Sequence, residues 1–306
     1  MNEMSDELTE INLDHQKLIE HIRKSVSSGS INFLFGAGVN GDCFPMMSQF
    51  KKTKEKLIEF HQDGNNIESE LTFLSESERN IVLNTFVNEY NEYKNPDTNA
   101  DSYNNLKTML QTVSHIVEKT ENRRSHTKKV NIFTLNYDNN VENILKELGI
   151  FHHMIAANYG NEQSTADIVG FNVTKNKFVP SFFISKIHGS ANSDGTLEKD
   201  KVILPNKEKK ISSALSREFF RVLFKMKSEL EIQNAILFII GYSGGDEDVN
   251  GILREAAISG LTTYWLKYNS SDTGVENLNL SGLTIVESDG NDSTKKLNDL
   301  FEEVLR

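Results

Sequence analysis

The sequence predicts an α/β fold, a Rossmann-like parallel sheet with helices on both faces and a helical insertion. Short, continuously apolar runs alternate with amphipathic helical stretches along most of the 306 residues. Continuous apolar runs are typical of strands buried on both faces, and strand-helix alternation favours right-handed crossovers in a parallel sheet. Between residues 50 and 129 the chain has helical stretches and no clear strand. This region is therefore predicted to be an insertion.

The predicted elements follow from periodicity and from turn residues. Apolar side chains recur at helical spacing over residues 12–28, and Gly29 ends that helix. The first strand, Ile31 to Phe35, runs into Gly36-Ala37-Gly38. Later strands are predicted over residues 130–135, 178–187, 235–240, 261–267 and 283–286, and later helices over 139–148, 246–259 and 295–305.

The insertion is predicted to contain helices over residues 71–93 and 102–121, separated by the breaker Asn95-Pro96-Asp97. The chain is thus expected to divide into a sheet domain, residues 1–49 and 130–306, and a helical subdomain, residues 50–129.

Composition excludes several classes of protein. The 33 basic and 44 acidic side chains give a net charge of −11, which argues against a dedicated nucleic-acid binder. A single cysteine, Cys43, excludes an internal disulfide and a four-cysteine zinc site, and it favours a reducing compartment. The N-terminus does not resemble a signal peptide, and the longest apolar run, Ala235 to Ile240, is too short to span a membrane. We expect a cytoplasmic protein.

Four polar or glycine-bearing segments directly follow apolar strands. In an open parallel sheet the carboxyl ends of the strands share one edge, where ligands bind. The segments should therefore converge there. They are Gly36-Ala37-Gly38, Asn136-Tyr137-Asp138, His188-Gly189 and Gly241 to Asp246.

The first two segments each have two interpretations. Gly36 to Gly38 supplies two glycines of a G-x-G-x-x-G loop without the third, so the segment is either a plain turn or a phosphate cradle. In a cradle, the missing Cβ atoms would let backbone N–H groups approach the phosphate. Asn136 and Asp138 are ordinary helix-capping residues, but Asn136 can also face a pocket.

The same holds for the later segments. A lone histidine is usually a packed or surface residue, yet His188 ends a strand at the ligand edge, where a near-neutral imidazole can transfer protons. The pair His152-His153 is interpreted as structural. Asp246 is expected to cap a helix whose first carboxylates would repel phosphate, so Tyr242, Ser243 and backbone amides are the groups expected to meet a ligand.

Taken in order, the four segments resemble the sirtuin-like NAD-binding family, in particular the bacterial sirtuin-like NADases of antiphage defence. The resemblance implies that the first loop holds the NAD pyrophosphate and ribose, that Asn136 lies beside the nicotinamide ribose and the nucleophile, and that Asp138 binds the carboxamide. It implies that His188 is the catalytic histidine. The implied first loop is Gly36, Ala37, Gly38 and Val39, and the implied adenosine-side loop is Gly241, Tyr242 and Ser243.

The chain also departs from the sirtuin deacylases. Residues 39–47 contain no arginine where deacylases carry an Ile-Pro-x-Phe-Arg segment, and a helical insertion stands in place of the four-cysteine zinc module. These differences put acyl-lysine binding in doubt and leave the residues around the glycosidic bond in place.

The resulting hypothesis is hydrolysis of NAD+, with NAD+ as substrate and no zinc or other metal. The resemblance further implies activation during phage infection by self-assembly or by a partner, such as the HerA-like ATPase that accompanies some relatives. Three alternatives remain: an NAD-dependent deacylase, a module that senses NAD or an ADP-ribose derivative without cleaving it, and a structural subunit.

Overall fold

The computed structural model describes residues 15–64, 70–119, 128–156, 167–169, 181–202 and 214–306. An eight-stranded sheet forms its centre, in the order β4-β3-β5-β2-β1-β6-β7-β8. All strands run parallel except β4, which pairs antiparallel with β3. The strands are β1 Ser30–Phe35, β2 Lys129–Thr134, β3 His152–Ala156, β4 Asp167–Val169, β5 Ser181–Lys186, β6 Ala235–Ile240, β7 Thr262–Lys267 and β8 Leu283–Glu287.

Helices cover the sheet, and the predicted Rossmann-like class is confirmed. The described α-helices are α1 His15–Ser28, α2 Lys51–Glu59, α3 Glu76–Tyr93, α4 Asp101–Lys119, α5 Asn140–Glu147, α6 Ala214–Leu230, α7 Glu247–Ile258 and α8 Ser293–Leu305. Strands β3 and β4 and helix α6 were not predicted. The predicted helix start at residues 12–14 and strand start at residues 178–180 lie outside the described residues.

Alternating side chains of the buried strands pack into two separate cores. In β6, Phe238 and Ile240 face the core that contains α1, α3, α4, α5 and α8, whereas Leu237 and Ile239 face the core formed with α6 and α7. Both faces of this strand are apolar because both are covered. This explains why its sequence shows a continuous apolar run.

The helices of residues 50–129 share the first of these cores. Leu57 of α2, Phe86 of α3 and Leu106 of α4 lie in the same hydrophobic cluster as Phe33 of β1. Helix α4 also packs against α8. The division into two units stays a prediction, but the packing of this region is continuous with that of the sheet.

The sheet order brings the polar segments together. Strands β5, β2, β1 and β6 are successive neighbours, and all four run parallel. Their carboxyl ends carry the segments that begin at His188, Asn136, Gly36 and Gly241. The expected convergence at one edge is therefore met.

Candidate active site at the carboxyl edge of the sheet

The loop after β1 is a short 3-10 turn, Ala37–Asn40, that follows Gly36. The N–H of Gly36 donates to Ile240 O at 3.0 Å, that of Gly38 to Gly241 O at 3.1 Å, and that of Val39 to Gly36 O at 3.1 Å. Ala37 and Gly38 are exposed, and the Val39 side chain is in the core. A ligand can therefore meet Ala37 and Gly38, and only the backbone of Val39.

The glycines of this loop are explained by a close approach of backbone to backbone. A Cβ on Gly36 would lie 2.3 Å from Gly241 O, and one on Gly38 would lie 2.8 Å from Gly241 Cα. Gly241 itself has φ +65°, and its Cβ would lie 2.2 Å from Val39 N. The space that missing Cβ atoms leave is thus filled by the loop after β6. In the sequence, a phosphate cradle was one of two interpretations of these glycines, the other being a plain turn.

Asn136 follows β2 and ties the first two loops together. Its N–H donates to Thr134 Oγ1 at 3.1 Å, and its side-chain Nδ2 donates to Gly36 O at 3.1 Å. The side chain is half-buried. A carboxamide has two N–H donors and an oxygen acceptor. The contact with Gly36 uses one donor, so the amide keeps the chemistry needed to orient a hydroxyl or a water.

Asp138 lies two residues further on in a buried polar network. Its Oδ2 accepts from Asn40 Nδ2 at 2.7 Å and its Oδ1 accepts from Asn140 N at 3.0 Å, at the start of α5. Burial raises the pKa of the Asp138 carboxyl, and the Lys186 charge and the Asn40 hydrogen bond offset part of that rise. Both carboxylate oxygens are thus engaged inside the protein. The N-cap residue of α5 is Asn139, whose side chain makes no capping hydrogen bond, so neither Asn136 nor Asp138 is the N-cap.

His188 forms a buried pair with Asp246. The Nε2 atom of His188 lies 2.7 Å from Oδ2 of Asp246, and their side chains are 3% and 5% exposed. Burial acts to raise the pKa of Asp246, but the hydrogen bond and charge of His188 and the N–H groups of Val249 and Asp248 outweigh it, so the pKa lies below its ordinary value. A carboxylate in this position orients an imidazole and stabilises its protonated form.

Asp246 was predicted only as a helix cap, and it performs that role as well. Its Oδ1 accepts from Asp248 N at 2.9 Å and Val249 N at 3.0 Å at the start of α7. The pairing with His188 was missed because β5 and β6 are separated in the sheet by β2 and β1. The only sequence signal was that both residues follow strands of one parallel sheet.

The loop after β6 presents Ser243 rather than Tyr242. Ser243 is exposed, whereas Tyr242 is 3% exposed and belongs to the second core. The Tyr242 hydroxyl donates to Asn250 Oδ1 at 2.7 Å and accepts from Asp246 N at 3.1 Å. Tyr242 thus holds the loop that carries Asp246.

The described part of the chain contains no group of three or more His, Cys, Asp or Glu side chains arranged to hold a metal ion. None of its helices combines the length and apolar character needed to cross a membrane.

Comparison with known proteins decides the family. The family model described as the SIR2-like domain matches residues 130–285, about half of the chain. The chain belongs to the SIR2-like family. The matched region includes Asn136, Asp138, His188 and Asp246, and the Gly36 loop precedes it. A SIR2-like domain suggests an NAD-dependent enzyme.

Solved structures agree with this assignment at the level of the fold. A structure described as "Structural Basis for the Mechanism and Regulation of Sir2 Enzymes" is 12% identical to this SIR2-like chain, with a TM-score of 0.50. The match covers 94% of this chain and 97% of the other. At this identity the likeness shows the fold alone. No curated protein sequence matches.

Proposed function

We propose that this SIR2-like protein is an NAD+ glycohydrolase that cleaves the nicotinamide-ribose bond and yields nicotinamide and ADP-ribose. The observation that supports it most is the buried His188–Asp246 pair, at the same sheet edge as Asn136 and the exposed Ala37-Gly38 turn. Family membership adds the expectation of NAD chemistry.

The reaction needs little acid catalysis. The glycosidic C–N bond breaks and its electron pair stays on the nicotinamide nitrogen, which loses its positive charge. The oxygen of a water bonds to the ribose C1, and one proton is released. The enzyme must orient the substrate, stabilise an oxocarbenium-like centre and place the water.

The residues of this edge suit those tasks. In the proposal the Asn136 carboxamide, fixed through Gly36 O, orients the ribose and the water. The His188 imidazole accepts a proton from a ribose hydroxyl or from the water, and the Asp246 carboxylate stabilises the imidazolium that forms.

The dinucleotide would lie along the small and polar groups of the edge. The exposed positions Ala37, Gly38, Ser243 and Gly245 present little side-chain bulk to a ligand. In the proposal the first loop holds the pyrophosphate and ribose, and the Gly241 to Ser243 loop flanks the adenosine. The contacts of Asp138 favour a role in anchoring the loop of Asn136 over direct contact with the carboxamide.

The test is nicotinamide release from NAD+. We expect His188→Ala and Asn136→Ala each to lower kcat at least ~100-fold, because each removes a group that acts on the reacting centre. His152→Ala is the matched control, since His152 is also a buried histidine but lies at the amino end of β3. Its turnover should stay within about threefold of wild type. Unchanged turnover in both site variants would reject the assignment.

Nicotinamide release, together with thermal unfolding in the presence of nucleotides, separates the alternatives. A sensing module predicts that NAD+ raises the melting temperature and is recovered intact. A deacylase predicts turnover that depends on an acyl-lysine peptide. A structural subunit predicts no thermal shift with any nucleotide.

We further propose that the enzyme acts in the cytoplasm, that it depletes NAD during phage infection, and that its activity is restrained until then. Self-assembly or a HerA-like ATPase partner would release that restraint. The large apolar side chains Ile58, Phe73 and Ile81, exposed in residues 50–129, offer a contact surface for either. We expect nicotinamide release per protomer to rise steeply with protein concentration or on adding the ATPase.

A further inference from the structure

Lys186, the last residue of β5, is a fully buried cation beside the candidate site. Its Nζ contacts three oxygens of the loop after β2, and each accepts a hydrogen bond. They are Tyr137 O at 3.2 Å, Asp138 O and Asn139 Oδ1 at 3.1 Å. Nζ also lies 2.8 Å from Glu142 Oε1 in an ion pair. Lys186 precedes His188 by two residues, and its contacts follow Asn136 by one to three.

The charges of this cluster explain why the lysine is tolerated there. A buried ammonium requires a counter-charge, and the carboxylates of Glu142 and Asp138 are both nearby and buried. Asp138 is further held by Asn40 and Asn140. The carboxylates supply the counter-charge, and the three N–H groups of the ammonium are directed at loop oxygens.

The loop is also held from the other side. The carbonyl of Tyr137 accepts from Ala191 N at 2.8 Å, so the chain just after His188 contacts the same peptide group as Lys186. The segments of His188 and Asn136 are therefore joined by two contacts at Tyr137 O. Of these two contacts, only the one from Lys186 depends on a side chain.

We propose that Lys186 is a positioning residue that holds the loop of Asn136 in register with His188. This inference rests on the proposed function. In this proposal its buried side chain acts through the loop and not by contact with the substrate. Without it the loop loses three hydrogen bonds, and Asn136 spends less time in the geometry that hydrolysis requires.

The test uses Lys186→Met together with Glu142→Gln. Lys186→Met alone would leave buried carboxylates without a cation and is expected to unfold the protein. Removing both charges avoids most of that cost, because replacing a buried ion pair with neutral groups of similar size is often tolerated. The carboxylate of Asp138 remains, but it keeps its hydrogen bonds from Asn40 and Asn140. In the double variant we expect kcat for nicotinamide release to fall at least ~10-fold, while KM changes by less than about threefold.

Two controls isolate the effect. Glu142→Gln alone keeps the lysine and its contacts with the loop, so kcat should stay within about threefold of wild type. Lys129→Met removes another lysine that is paired with a glutamate, Glu229, but at the amino end of β2. It should leave kcat unchanged. A double variant with wild-type kcat, or with a change in KM alone, would overturn the proposal.

A second readout is independent of activity. Hydrogen exchange of the amides of residues 135–140 should be at least ~10-fold faster in the double variant than in Glu142→Gln, because loop opening sets the rate. If the wild-type protein releases no nicotinamide, the proposed function fails. Hydrogen exchange alone then tests whether Lys186 holds the loop. Equal exchange in the two variants would then reject it.

Discussion

His188 Nε2 and Asp246 Oδ2 lie 2.7 Å apart although the strands that precede them, β5 and β6, are separated by two other strands. The loops that carry the two residues must therefore cross the carboxyl ends of β2 and β1, where Asn136 and Gly36 lie. The pair therefore spans the polar edge of the sheet, from the loop after β5 to the loop after β6. One hydrogen bond thus joins the outermost two of the four loops that the sequence singled out.

The first prediction concerns the charge of Asp246. We expect Asp246→Asn to lower kcat for nicotinamide release ~100-fold, because the imidazolium of His188 loses its stabilising carboxylate. The fold should persist, because asparagine caps helices about as well as aspartate and can still accept from Asp248 N and Val249 N. Steady-state kinetics and thermal unfolding measure the two effects.

The matched control is Asp292→Asn. Asp292 caps α8 in the same way, accepting from Thr294 N at 2.8 Å and Lys295 N at 3.2 Å, and among the described residues its carboxylate pairs with no histidine. Its variant should keep wild-type kcat. Equal losses in both variants would mean that Asp246 acts only as a cap.

The second prediction concerns acid stability. The pKa of Asp246 in the folded protein lies below its ordinary value of 3.8, so ionised Asp246 stabilises the fold above pH 3.8, and that contribution is lost as the pH falls below it. Asp246→Asn lacks the titrating group. The difference in free energy of unfolding between wild type and variant should therefore narrow as the pH falls from about 5 to about 3. Urea titrations at several pH values measure it, and a difference that widens toward acid would contradict the assignment.

The order of the strands and of the polar segments that follow them was predictable from the sequence, but the contacts between the loops were not. Apolar runs identified β1, β2, β5 and β6, because strands buried on both faces are continuously apolar. Strand β3, His152–Ala156, was missed because its three middle residues are only half-buried and its sequence lacks such a run. Helix α6 has an amphipathic sequence but was not assigned.

The site shows the same limit. Strand ends place His188 and Asn136 at one edge, but no spacing rule relates His188 to Asp246, which lies 58 residues further along the chain. The sequence also does not show which polar side chains are buried. Tyr242 and Asp138 look like ligand-binding residues in the sequence, yet their polar atoms are engaged inside the protein. The role of the glycines also became clear only once the loops after β1 and β6 were seen in contact.

The third prediction concerns Cys43, the only cysteine of the chain. Burial raises the pKa of its thiol to about 12, so at pH 8 only ~10⁻⁴ of it is thiolate, the reactive form. We expect iodoacetamide to label the native protein at least ~100-fold more slowly than the urea-unfolded protein. Mass spectrometry measures the rates. Similar rates would show that the chain around Cys43 opens readily.

The final prediction concerns Gly241, where the loops after β1 and β6 meet. Gly241→Ala places a Cβ 2.2 Å from Val39 N at φ +65°, so it should cost more than the ~1 kcal/mol that a left-handed backbone costs an ordinary residue. Gly149→Ala is the matched control, because Gly149 has φ +68° and no atom within 4 Å of its Cβ position. We expect urea unfolding to show a loss at least ~2 kcal/mol larger for Gly241→Ala, since backbone atoms cannot move aside as a side chain can. Nicotinamide release should also fall, because the shift reaches Gly36 and hence Asn136. Equal losses of stability would mean that the two loops can separate without cost, and the glycines would then need another explanation.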